Sequence, residues 1–205
     1  MAGSTYGFAT LTLLVASLLI ASLAATRTTL GYNDIGYEDC RWAYSGGYST
    51  LTVKWKWAPS PYTPSTTYQT AYNASRGDWD ATSTPISFSY VTSPWWEAQH
   101  HLEAYDFGPS DTRYGTQGDG CSGGDRTYTY ASLNTRKLDS ESANFKRSVA
   151  GHELGHYIGP VHSTHTPALL NQSRNRNTVY VPQWDDVCAV NDYYPSTGWP
   201  VTCSW

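Results

Sequence analysis

The chain has 205 residues, 13 Lys and Arg against 17 Asp and Glu, a net charge of -4 and only 15% charged residues. That length fits one domain with a sizeable core. The charge balance offers no basic patch and argues against a nucleic-acid partner. Seventeen Tyr and nine Trp read as aromatic packing in sheets; the rival reading is a surface for carbohydrate or cell wall.

Phe8 to Ala25 is almost continuously apolar and ends in Ser22-Leu23-Ala24-Ala25. It reads as a secretory signal peptide over residues 1–25, cut after Ala24 or Ala25, although no Lys or Arg precedes it. An uncleaved anchor is the alternative. A cleaved signal implies a secreted, extracellular protein with no stable membrane association. Cys40, Cys121, Cys188 and Cys203 suit that compartment as two disulfides, with three pairings open. No pair has the C-x-x-C spacing of a thiolate metal site.

Residues 26–50 have no clean period and are expected to be extended, pinned at Cys40. Leu51, Val53, Trp55 and Trp57 alternate with Thr52, Lys54 and Lys56, which predicts a half-buried strand. The proline-rich stretch 58–64 is a loop. Tyr68, Ala71, Tyr72, Ser75 and Trp79 fall at helical spacing, so a helix is expected from Thr66 to about Ala81, capped by Thr66 or Thr67. Ile86, Phe88 and Tyr90 alternate again as a second strand. Strand, helix, strand predicts a right-handed crossover and a parallel pair. A further strand is expected within Trp95–Phe107. Gly108 to Asp125 reads as a long surface loop, and Tyr128 to Asn134 as another strand. A helix should start near Asp139 or Ser140. Val149, His152 and His156 lie on one face of it; Ala150, Leu154 and Tyr157 lie on another, toward the sheet. Pro182 to Tyr194 is a last helix, and residues 195–205 form a tail pinned by Cys203.

The chemistry concentrates in His152-Glu153-Leu154-Gly155-His156-Tyr157-Ile158-Gly159-Pro160-Val161-His162. Two imidazoles four apart share a helix face and can reach one ion. Glu153 can reach a water on the open side of that ion. Gly159 can take positive φ and end the helix, and Pro160 prevents its continuation. The chain can then return His162 as a third ligand. Three neutral histidines with one open position make a catalytic zinc site rather than a closed structural one.

This run resembles the H-E-x-x-H-x-x-G-x-x-H signature of the metzincin metalloproteases. The resemblance implies zinc ligands His152, His156 and His162, with Glu153 as general base. Leu51 to Val91 is similar to the start of a matrixin catalytic domain, with Thr84-Pro85-Ile86-Ser87-Phe88 matching its second strand. His162-Ser163 followed by Ala168-Leu169-Leu170 resembles the matrixin turn beneath the zinc, with Leu170 standing where the family carries methionine. No Tyr follows two places later, so the tyrosine ligand of the astacin and serralysin branches is absent. His165 reads as a surface residue. Asp185-Asp186 resembles the last matrixin helix, where these carboxylates would buttress the turn.

The implied fold is α+β and zincin-like: a twisted, mostly parallel five-stranded sheet with two long helices, then a small C-terminal subdomain with one helix. The catalytic domain would cover residues 51–194. The implied function is a secreted, monomeric zinc metalloendopeptidase acting on polypeptides. Substrate would lie along an edge strand between Arg113 and Gly118, and residues 171–181 would wall the main specificity pocket. Matrixins carry accessory zinc and calcium sites; His100, His101, Asp106, Asp119 and Asp125 are conceivable ligands for a second Zn2+ or a Ca2+, though their spacing departs from the family pattern. The surroundings of Cys40 do not resemble the zinc-blocking propeptide motif. The alternative function is an aromatic-rich binding module whose protease site binds zinc without turnover.

Overall fold

The alternation in Leu51–Trp57 becomes strand β1, with Leu51, Val53 and Trp55 buried and Thr52 and Lys54 exposed. In this computed structural model, residues 41–42, 50–92 and 100–195 are described. The expected signal peptide, Cys40, Cys203, most of the 26–50 segment and nearly all of the tail lie outside them. β1 pairs in parallel with β2 (Ile86–Tyr90) on one side and β3 (His100–Tyr105) on the other. β3 pairs in parallel with β5 (Asp125–Asn134), and β4 (Gly115–Ser122) closes the far edge antiparallel to β5. The order is β2-β1-β3-β5-β4.

Between β1 and β2 runs α1 (Thr66–Asp80), burying Tyr68, Ala71, Tyr72, Ser75 and Trp79, the helical stripe read from the sequence. Its N-cap is Ser65 rather than Thr66 or Thr67, and Ser65 makes no side-chain cap bond. Ser65-Thr66-Thr67 is a run of three capping residue types, so composition alone did not separate them.

Residues 108–125, expected to form one long loop, instead contain β4. Its sequence, GTQGDGCS, has no apolar alternation, and its pairing with β5 makes it a strand. A Cβ at Gly118 would strike the ring of Tyr130, and one at Gly120 the ring of Tyr128. The β5 tyrosines therefore cover the β4 backbone where side chains would otherwise stand. Glycine gives no period to read, so this strand is invisible to local pattern.

The long helix also begins later than expected. A single turn, α2 (Thr135–Leu138), follows β5, and α3 (Ala143–Ile158) starts after Ser142, whose Oγ accepts a hydrogen bond from Phe145 N at 3.1 Å. α1 and α3 pack closely: Trp79 Nε1 donates to Gly151 O at 3.0 Å, and Ser75 Oγ to Arg147 O at 2.8 Å. The last helix, α4 (Trp184–Tyr193), opens with a capping box between Gln183 and Asp186. The architecture is the expected α+β one. Trp55, Trp79, Tyr68, Tyr72, Tyr157 and Tyr194 are all core residues, so part of the aromatic richness is interior packing, while Tyr62, Tyr90, Tyr128 and Trp184 are exposed. No described helix is long and apolar enough to cross a membrane. Neither Cys121 nor Cys188 is a free thiol.

Candidate metal centre

The site depends on where α3 stops. Gly159 has φ of 147°, and a Cβ there would collide with the ring of Tyr193. Only glycine satisfies both demands. The last carbonyls of α3 are then met by side chains from distant elements. Arg126 on β5 donates to His156 O at 3.1 Å and Tyr157 O at 2.7 Å. Trp42 Nε1 donates to Tyr157 O at 2.9 Å, and Tyr194 Oη to Ile158 O at 2.7 Å. Arg126 is itself held by Asp119 at 2.8 Å. A helix end with orphaned carbonyls would fray; here the turn carrying His156 is tied down.

His152, His156 and His162 converge, with their candidate ligand atoms all within 4.8 Å of one another. The Nε2 atoms of His152 and His156 are 3.2 Å apart, close to the spacing of about 3.3 Å that two nitrogens on a tetrahedral zinc would have. His152 Nδ1 lies 2.8 Å from Leu169 O, and His156 Nδ1 lies 2.8 Å from Pro160 O. Both carbonyls can only accept, so each ring carries its proton on Nδ1 and turns Nε2 toward the common point. His162 is exposed at the cleft mouth, with Gln172 Nε2 within 3.1 Å of both its ring nitrogens. Burial favours the neutral form that a metal requires at His152 and His156. It pushes His156 down to about 4, aided by His162; His152 falls well below its usual value and His162 falls too. The donor set and its orientation fit zinc.

Beneath the histidines, the turn Ala168-Leu169-Leu170 is fully buried. Asp186 accepts from Leu169 N at 2.7 Å and Leu170 N at 2.8 Å, and from Gln183 N at 2.7 Å. Asp185 accepts from Ser163 Oγ. The buttressing expected of these carboxylates is thus present in the hydrogen bonds. Leu170 presses on α3 so closely that a Cβ at Gly155 would overlap its Cδ2.

Glu153 is buried, and burial pushes its carboxyl up to about 8 against the pull of Arg174, Arg113 and Arg176. The edge of β4 lies directly upon it: a Cβ at Gly115 would come within 2.9 Å of three Glu153 atoms. A cleft of about 630 Å³ runs between β4 and residues 171–176 and is lined by His152, Glu153, His156 and His162. The expected edge strand, placed between Arg113 and Gly118, therefore overlaps β4 and forms one cleft wall.

Arg174 was not anticipated. Only 4% exposed, it donates Nε to Ser148 Oγ at 3.0 Å, Nη2 to Ser148 O at 2.8 Å and Nη1 to Asn171 O at 2.9 Å. Nη1 also lies 3.0 Å from His152 Nδ1. That nitrogen cannot donate to Leu169 O and accept from Arg174 together. With Nε2 turned to the ion, Arg174 rests against the ring without a hydrogen bond to it. Burial lowers this guanidinium to about 9. Arg126, Trp42 and Tyr194 were also missed, because their partners lie 30 or more residues away in sequence.

The five candidate accessory ligands do not converge. Asp106 pairs with Arg136, Asp119 with Arg126, and His100 packs against Trp42 at 4.4 Å between ring centroids. Neither His101 nor Asp125 joins a metal-competent group, and the three site histidines form the one such group among the described residues. His165 stands outside it, half-buried, with its backbone N bonded to Ser163 Oγ.

Paired imidazoles one helical turn apart, a third after a glycine turn, and a buried carboxylate beside them define the zincin class of metal-dependent peptidases. The matrixin family model matches residues 53–195, and the chain belongs to that family, a branch of the metzincin metalloproteases. Comparison with curated proteins gives no match.

Proposed function

We propose that this protein is a secreted zinc metalloendopeptidase that hydrolyses peptide bonds in polypeptides. The observation that carries the proposal is the convergence of three imidazoles beside one buried carboxylate. His152, His156 and His162 would hold the zinc. The chemistry a bound zinc supplies there is Lewis-acid polarisation of the scissile carbonyl and acidification of the attacking water. Glu153 takes that water's proton and delivers it to the leaving amine. Substrate backbone adds to the open edge of β4, in the manner of strand addition to a sheet. Gly115 keeps that edge close to Glu153.

Leu170 takes the place of the family methionine as an apolar floor of similar volume. Residues 1–25 act as a cleaved signal, residues 51–194 as the catalytic unit, and the four cysteines as two disulfides in a monomer. The test is cleavage of a peptide library by the purified mature protein, with and without a zinc chelator. Cleavage that stops on chelation and returns with zinc is expected. Zinc bound without turnover of any peptide would contradict the proposal and favour the binding module.

A further inference from the structure

The cleft carries more positive charge than the reaction needs. Arg113, Arg174 and Arg176 all line the cleft, and among the described residues Glu153 is its only lining carboxylate. The whole chain is acidic, at -4, so this concentration does not follow from composition. The three arginines are not equivalent. Arg113 is already neutralised by a bidentate pair with Asp111. Arg174 is buried with neutral partners only: Ser148 Oγ, Ser148 O and Asn171 O. Arg176 donates Nη2 to Gln172 O at 3.1 Å and makes cation–π contacts with Tyr114 and Phe145, its Cζ lying 5.2 and 5.6 Å from the ring centroids. Among the described residues no carboxylate forms an ion pair with either Arg174 or Arg176. The buried Arg176 Nε has no hydrogen-bond partner there.

A buried guanidinium with neutral partners only is costly, and an incoming anion relieves that cost. Tyr114 and Phe145 hold the Arg176 guanidinium at the cleft, where it can meet a carboxylate. Val149 and Tyr114 supply apolar walls for the methylene stem of such a side chain. Resting on the peptidase reading above, we propose that the pocket bounded by Val149, Tyr114, Arg174 and Arg176 binds an acidic side chain of the substrate, so that cleavage occurs beside Asp or Glu. Arg176 is the specificity-determining contact at the mouth, and Arg174 supplies the fixed positive field behind it.

The test uses the mature protein and end-blocked peptide amides that differ only in Glu, Gln or Lys at each position flanking the scissile bond. At one flanking position, Glu should be favoured over Gln by about tenfold or more in kcat/KM. That preference should weaken with salt. It should vanish in Arg176→Gln and turn toward Lys in Arg176→Glu. The same ranking should appear in the affinities of Glu153→Gln for these peptides, a readout that does not depend on turnover. Equal treatment of Glu and Gln, or a Glu preference that survives Arg176→Glu, overturns the inference and leaves the peptidase reading standing. A preference seen only with a free terminal carboxylate transfers the pocket to chain ends and also overturns it. Wild-type protein that cleaves no peptide, with Glu153→Gln binding none, ends both.

Discussion

The floor and the mouth of the cleft are built by opposite means. Under the histidines, the contacts are buried and hydrogen-bonded. Leu169 and Leu170 are fully buried, and their N–H groups are held by Asp186. The α3 carbonyls are satisfied by Arg126, Trp42 and Tyr194. At the mouth, Gln172, Arg113 and Thr116 are polar and solvent-facing or half-buried, on a glycine-bearing strand and an irregular segment. The floor fixes ligand geometry, where errors of a fraction of an ångström matter. The mouth reads substrate, where side chains can change without moving the metal. A change in the floor should therefore cost stability, and a change in the mouth should alter preference alone.

The largest effect is expected where the two regions meet. Glu153→Gln keeps the shape of the buried side chain but cannot accept the proton, so turnover should fall by about 10²–10⁴-fold while zinc content is unchanged. Turnover and bound zinc measured on one preparation check this. A floor change comes next. Leu170→Ala should destabilise by about 2–5 kcal/mol in denaturant unfolding, whereas Leu170→Met should cost under about 1.5 kcal/mol. A Leu170→Ala protein of wild-type stability but altered peptide preference would break the contrast between floor and mouth.

Acid sensitivity should come partly from behind the site. His100 is held down to about 4 by burial first, then by Arg126, His101 and Lys54. Its neutral form is the one the fold favours. The resulting stability is present above about 6.5 and is lost as pH falls from there through about 4. Because the ring is only half-buried, the loss should be about 2 kcal/mol. A urea midpoint series across that range should flatten in His100→Gln. The smallest stability effect belongs to the mouth: Arg176→Gln should change unfolding free energy by no more than about 1 kcal/mol. Urea midpoints of the variant and wild type, compared at one pH, check that figure.

What the sequence revealed follows the same division. The two helical histidines, Glu153 and the glycine turn are local in sequence, so spacing alone gave their geometry. β1, α1 and β2 were legible because their apolar residues keep a strict period. β4 was not, since Gly115, Gly118 and Gly120 leave nothing to alternate and the strand exists through Tyr128 and Tyr130 across the sheet. Arg126 and Arg174 look like ordinary surface cations in the sequence. Their burial depends on carbonyls and hydroxyls 26 to 31 residues away, which no local pattern encodes. The short turn α2 delayed the start of α3 past Asp139, although the capping Ser142 was there to be read.

The most direct measurement is metal content. Zinc per chain, determined by mass spectrometry on dialysed protein, should be one for the wild type and one for Glu153→Gln. It should fall to background in a His152→Ala, His156→Ala double variant that retains its helical circular dichroism. One tightly held zinc persisting in that folded double variant would contradict the assignment of the three imidazoles as the metal site.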